Sequence, residues 1–352
     1  MTDTAVALEG SGNVSAPPQA LSVRDLEVEY RNGPDRFAAV RKVSFDLARG
    51  QKLAVVGESG CGKSTLAFAL LRLIESPGQI TGGDIQINGR SILTLSEREL
   101  ERVRGREAAI VFQDPSTALD PVKRIGGQVM EVIDRHNPGL SKHELRRRAT
   151  EVLQSTEIPA ASRRFDAYPH ELSGGLRQRV VIAIAVANTP DVLIADEPTS
   201  ALDVTTQAQI IDMLDRLVGE RGIAVVLITH NLGLVAEFSD TVAVMYAGRF
   251  VECADVDAIF RRPAHPYTDA LLRCVPRPGT VEREPLPSLP GFPPNLGQLP
   301  VGCTFEPRCP LGHGDERCRT LSPAPRTVRV LQAGSVVECH HAERQLEARR
   351  GP

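Results

Sequence analysis

The sequence lacks any long apolar run. Its longest candidates, Val180–Ala187 and Ile223–Ile228, fall well short of the ~18 residues a membrane-crossing helix needs. The chain is therefore expected not to span a bilayer, although it could sit on one through a partner. It also lacks an excess of positive charge: 41 Lys and Arg face 44 Asp and Glu, for a net charge of −3. Dedicated nucleic-acid binders are usually strongly basic, so that class is set aside. Residues 1–20 contain no Lys or Arg, so the basic start of a secretion signal is missing and a cytoplasmic protein is expected. No internal repeat or sustained heptad is present, which argues against solenoids and coiled coils.

What is present is ordinary for a globular protein. The chain has 352 residues, 41% hydrophobic and 24% charged, enough apolar material for a sizeable core. That length gives a soft expectation of about two domains. In a reducing compartment the seven cysteines are expected to be ligands or free thiols, not disulfides.

Residues 1–20 read as a mobile Thr/Ala/Ser/Gly/Pro-rich tail. Val23–Tyr30 and Val40–Leu47 alternate like strands around a turn at Asn32-Gly33-Pro34, and Gly83–Gly89 reads as a second hairpin-like stretch. Buried strands are expected at Lys52–Val56, Ala109–Gln113, Val192–Asp196, Ala224–Thr229 and Thr241–Met245. Helices are expected at Ser64–Ile74, Lys142–Gln154, Leu176–Ala187 and Gln207–Val218. Apolar strands alternating with helices predict an α/β fold with a mainly parallel sheet. Residues 114–172 carry no strand signal and read as a helical insertion. The expected main unit runs from 21 to 275. Beyond it, residues 276–352 hold half of the 26 prolines and four cysteines, and read as a separate appendage.

Gly57-Glu58-Ser59-Gly60-Cys61-Gly62-Lys63-Ser64 fits G-x-x-x-x-G-K-[ST], with a strand before it and a helix after it. Glycines let the backbone wrap phosphates and aim N–H groups inward, and the helix start adds its positive end. Lys63 would neutralise the β- and γ-phosphates and Ser64 would ligate Mg²⁺. Only the backbone of Cys61 is needed there. The run Asp191–Glu197 is an apolar strand ending in two acids, Asp196 and Glu197. At the carboxyl edge of a sheet, Asp196 would hold Mg²⁺ and Glu197 would orient and deprotonate an attacking water.

With these two motifs in place, the sequence resembles the ATP-binding subunits of ABC transporters, of the oligopeptide/dipeptide (peptide/nickel) permease type, over about Leu21–His341. Leu172-Ser173-Gly174-Gly175-Leu176-Arg177-Gln178 matches the ABC signature, Val111-Phe112-Gln113-Asp114-Pro115 the Q-loop, and Ser200-Ala201-Leu202-Asp203 the D-loop. Ile228-Thr229-His230-Asn231 matches the switch histidine. The resemblance implies a P-loop NTPase cassette with an antiparallel β subdomain, a helical subdomain and a Cys-rich C-terminal extension. It implies that Tyr30 stacks on adenine, that Gly57–Ser64 and Thr65 bind ATP, and that Gln113 senses Mg²⁺. It further implies that His230 contacts the γ-phosphate, and that Ser173, Gly174, Gly175 and Gln178 contact ATP held by a second cassette. Asp203 is the D-loop acid. The implied partners are that second cassette (a paralogue or another copy), two transmembrane permease subunits and an extracytoplasmic peptide-binding protein, with no nucleic acid. The implied location is the cytoplasmic face of the cell membrane. The competing reading is a soluble ABC ATPase acting on ribosomes or nucleic acid. Such proteins usually carry two cassettes, coiled coils or zinc insertions, which are not seen here. Asp120 and Leu176 depart from the common family residues without removing a catalytic group.

His265-Pro266-Tyr267-Thr268 and Gly302–Pro310 resemble the C-terminal extension of the same family. Cys303, Cys309, Cys318 and Cys339 are spaced C-x5-C-x8-C-x20-C, without the close pairs of structural zinc sites. A proline-rich segment buries little apolar area, so a ligated metal could supply stability. The resemblance implies a 4Fe–4S cluster on these four thiols. Zinc and metal-free thiols stay open, as does a redox role for the centre.

Overall fold

The computed structural model describes residues 19–33, 35–200, 202–275, 289–328 and 335–348. The expected tail, apart from its last two residues, lies outside them. So do Ala201 and the first part of the extension.

Two sheets organise the chain. Strands β1 (Gln19–Asn32), β2 (Asp35–Ala48), β4 (Gly78–Ile87) and β5 (Arg90–Ser91) form an antiparallel sheet in the order β2-β1-β4-β5. The main sheet has eight strands in the order β11-β12-β10-β9-β3-β8-β7-β6. These are β3 (Lys52–Val56), β6 (Ala108–Val111), β7 (Val192–Asp196), β8 (Ala224–Ile228), β9 (Thr241–Tyr246), β10 (Arg249–Asp255), β11 (Arg326–Thr327) and β12 (Val336–Val337). The run from β9 to β6 is parallel, and the β10 side is antiparallel. Strands β7 and β8 are buried along their whole length, as their unbroken apolar sequences require.

Helices α1 (Lys63–Ala69) and α2 (Glu97–Val103) accompany the first strands. The expected helical insertion contains α3 (Pro115–Ala118), α4 (Ile125–His136), α5 (Lys142–Ser155) and α6 (Ala161–Arg164). It leads into α7 (Gly174–Val186). Ile125, Val129 and Ile133 on α4, with Leu145, Ala149 and Leu153 on α5, recur every four residues. They join a core shared with α7 and the β6–β8 strands. After α8 (Val204–Arg221) and α9 (Leu232–Phe238) come α10 (Val256–Arg261), α11 (Pro266–Arg273), α12 (Glu316–Thr320) and α13 (Ala342–Ala348).

Three sequence expectations are corrected. Helix α1 ends at Ala69 instead of Ile74. The chain tightens there, with the Arg72 N–H donating to Ala69 O, and Arg72 itself takes φ +51°, which no helix continues through. Strand β10 was not foreseen. The C-terminal extension is not a separate appendage either. Its strand β12 pairs with β10 (Glu252 opposite Val337), and Phe305, 1% exposed, packs with Tyr246 and Tyr267 in one core. Ring centroids there lie 4.6–5.4 Å apart. Aromatic packing of this kind does the work that the proline-rich sequence seemed unable to do.

Candidate active site

The parallel strands deliver the site. Gly57 follows β3, Gln113 lies just past β6, Asp196 and Glu197 end β7, and His230 lies two residues past β8. Because β3, β8, β7 and β6 are consecutive neighbours, their carboxyl ends converge on one edge.

The loop Gly57–Gly62 wraps tightly. Gly62 takes φ +108°, and a Cβ there would lie 2.2 Å from Ala39 O, so only glycine fits. Lys63 is 6% exposed, and its Nζ donates to Gly57 O (2.8 Å) and Glu58 O (2.9 Å), folding it back over its own loop. Burial raises the thiol of Cys61, a residue of this loop whose Sγ lies 3.8 Å from Lys63 Nζ. The Ser64 hydroxyl donates to Asp196 Oδ1 at 3.2 Å. Burial pushes the Asp196 carboxyl above its ordinary range. The neighbouring Glu197 adds to this, and Ser64 and Lys63 oppose it.

Glu197 is held between two groups. Gln113 Nε2 donates to its Oε2 at 3.0 Å, and His230 Nδ1 lies 3.2 Å from its Oε1. Its backbone is left-handed (φ +45°), with its N–H donating to Ile228 O. Backbone strain of this kind clusters at active sites and ligand clamps. These residues border an open cleft of about 560 Å³. Tyr30, stacked on Phe37 at 5.8 Å and 18°, also lines it, as do Ser59, Gly60, Ser64 and Thr65.

The structure does not bring the signature residues to this cleft. Ser173 caps α7 by accepting from the Leu176 N–H, so Gly174 and Gly175 form the first turn of the helix, two residues earlier than expected. Gly174 and Gln178 line a separate, smaller recess with Gln113 and Leu202. Gln178 is 1% exposed, and its Nε2 has no partner among the described residues. Asp203 caps α8 through the Thr206 N–H at 3.0 Å, which lowers its carboxyl.

Sequence reasoning missed Phe37, Ala39 and Leu296, which line the cleft, and Arg308, which grips Glu58 of the phosphate loop. Phe37 faces Tyr30 across a hairpin, which register could have revealed. Leu296 and Arg308 come from the proline-rich extension, where no periodicity marks them.

The four extension cysteines are brought together. The Cys303 N–H donates to Cys318 O at 2.7 Å, and the thiols of Cys309 and Cys318 both face Gly312. A Cβ at Gly312 would lie 3.0 Å from Cys318 Sγ and 3.5 Å from Cys309 Sγ. N–H groups of Gly312 and His341 donate to Cys309 Sγ and Cys339 Sγ. Burial is the largest effect raising all four thiols, Cys318 to about 11 and Cys339 to about 12, and neighbouring thiols add to it at Cys303, Cys318 and Cys339. A thiolate-held metal would bring the positive charge that lets such a group ionise. Asp315, Cys318 and His341 form a second, overlapping donor group within 4.8 Å. Cys253 is a lone thiol, pushed by burial to about 12.

A strand–phosphate loop–helix on this sheet, with paired acids on the neighbouring strand and an antiparallel sheet alongside, defines an ATP-binding cassette ATPase. The ABC transporter family model matches residues 40–200, and that of the oligopeptide/dipeptide transporter C-terminal region matches 251–318. The chain belongs to the family of ATP-binding subunits of peptide ABC transporters. It is 44% identical over 321 residues to the dipeptide transport ATP-binding protein DppD of Escherichia coli K12, covering 91% of this chain and 96% of that one. It is 47% identical over 303 residues to the oligopeptide transport ATP-binding protein OppD of Salmonella typhimurium, covering 86% and 89%. Among solved structures it is similar to a bacterial ABC transporter cassette determined as a dimer (TM-score 0.61, 30% identity), covering 67% of this chain and 98% of that one.

Proposed function

We propose that the chain hydrolyses ATP to drive uptake of dipeptides or oligopeptides through two membrane permease subunits, which are fed by an extracytoplasmic binding protein. It works from the cytoplasmic face. No helix of the described residues is long and apolar enough to cross a membrane, so attachment runs through those partners. The observation that carries the reading is the Glu197 carboxylate, held by Gln113 and His230 beside Lys63 and Ser64.

In this reading Tyr30 stacks on adenine. The N–H groups of Gly57–Ser64 and Thr65 cradle the phosphates, and Lys63 leaves its two carbonyls for the β- and γ-oxygens. Ser64, Asp196 and Gln113 would hold Mg²⁺, which when bound neutralises charge on those oxygens. Glu197 orients water and accepts its proton, and His230 steadies the γ-phosphate. Ser173, Gly174, Gly175 and Gln178, at a helix N-terminus, serve ATP on the partner cassette, and Asp203 lies at that junction. Closure on ATP and reopening after hydrolysis then follow from contacts that exist in only one of two states.

Cys303, Cys309, Cys318 and Cys339 would hold a 4Fe–4S cluster, whose chemistry here is a cross-link between distant parts of the extension. Zinc is the second reading, favoured by the Asp315–Cys318–His341 group.

The direct test is the complex reconstituted in vesicles. Labelled di- or oligopeptide should accumulate only with Mg·ATP on the cassette side. ATP turnover without any peptide movement across a panel of lengths would reject the import reading.

A further inference from the structure

The phosphate loop carries an acid where it must receive an anion. Glu58 is the second residue of the loop, and a bare carboxylate there would add negative charge to a loop that must hold a triphosphate. Its side chain is taken up by the C-terminal extension. Arg308 Nη1 donates to Oε2 at 2.7 Å and Nη2 to Oε1 at 2.9 Å, a two-pronged pair across 250 residues of sequence. The Arg308 side chain is only 6% exposed. Its Nε donates to Pro290 O at 2.8 Å, and its fork rests against Tyr246, so it cannot swing away cheaply. The same loop residue is gripped from a second side, where its backbone N–H donates to the hydroxyl of Tyr267 at 2.9 Å. Its carbonyl meanwhile holds Lys63.

We infer that Arg308 is a positioning residue of the nucleotide site: by neutralising and fixing Glu58, it makes the phosphate loop competent for the triphosphate, so that the C-terminal extension is part of the ATP site within one chain. The inference rests on the phosphate loop being that site. Arg308 directly precedes Cys309, so whatever orders the cysteine centre also orders the clamp. Leu296, from the same extension, reaches the cleft wall.

Charge compensation makes a distinctive demand. Removing Arg308 alone should harm nucleotide binding, and removing Glu58 as well should restore it, because a neutral pair leaves nothing to repel phosphate. The experiment is calorimetric titration of the full chain with Mg²⁺ and the non-hydrolysable analogue AMP-PNP. R308Q is expected to bind about tenfold more weakly than wild type. R308Q/E58Q is expected to return to within about threefold, and R308K, which keeps charge but loses the fork, to fall between the two. The KM for ATP should move with these affinities more than kcat does. Wild-type affinity in R308Q would overturn the inference. So would a double variant no better than R308Q, or R308K no better than R308Q. Should R308Q not fold, the folded neutral pair and R308K still decide it: weak binding by the neutral pair contradicts compensation. K63A separates the levels. If K63A loses binding and R308Q keeps it, the clamp alone falls; if K63A binds normally, the ATP-site reading falls.

Discussion

Lys63 illustrates how residue chemistry and fold depend on one another. Its ammonium is buried and satisfied by two carbonyls of its own loop, so the loop is already shaped around a positive charge. Exchanging those carbonyls for phosphate oxygens trades neutral acceptors for charged ones. Lys63→Ala is therefore expected to weaken ATP binding by at least tenfold, as a calorimetric titration would read. An unchanged affinity would contradict the ATP-site reading. Most of this site was legible in the sequence, because phosphate loops and strand-ending acids are local patterns. The pairing of Arg308 with Glu58 was not, because its partners are joined only by tertiary packing, and the acid and the arginine each look solvent-facing when read alone.

At the level of elements, strands were read more accurately than helices. Strands β3 and β7 begin and end as expected, because a buried parallel strand is an apolar run with sharp polar ends. Helix α1 fell short of its apolar pattern because a single left-handed residue, Arg72, stops it. Strand β10 and helix α11 escaped notice because Glu252 in the one, and Thr268 and Asp269 in the other, interrupt their patterns with groups that are buried, not exposed. Glu252 accepts from the N–H groups of Ala264 and His265, fixing the entry to α11. Burial raises its carboxyl to about 7, against 4.5 ordinarily. Its contribution is fully present below about pH 4.5 and is lost as pH rises through 7, because only the unfolded chain ionises freely in that window. His265, lowered by burial to about 3, acts in the opposite direction in both proteins and cancels on comparison. Glu252→Gln should therefore show a thermal midpoint that gains on wild type between pH 4.5 and 7 and then levels off. A constant difference across that range would contradict the buried, late-ionising carboxyl.

Across the whole molecule, the extension joins the cassette through strand pairing at β10, the Tyr246–Tyr267–Phe305 cluster and the Arg308 clamp. Composition alone pointed to a detachable unit, since proline removes the periodicities from which packing is inferred. The cysteine centre then bears on the whole fold. Anaerobically purified protein should hold about four irons per chain if a cluster is present, and Cys339→Ser should lower both metal content and the thermal midpoint. One zinc per chain would select the mixed-donor reading, and wild-type metal content in the variant would remove Cys339 from the ligand set.

The central claim is that Glu197 activates water on ATP held by this cassette, and Glu197→Gln tests it with the least change of shape. Nucleotide bound and nucleotide cleaved are measured side by side for the chain and the variant. The account predicts retained ATP binding with turnover lowered by roughly 10²–10⁴-fold; hydrolysis at near wild-type rate would contradict it.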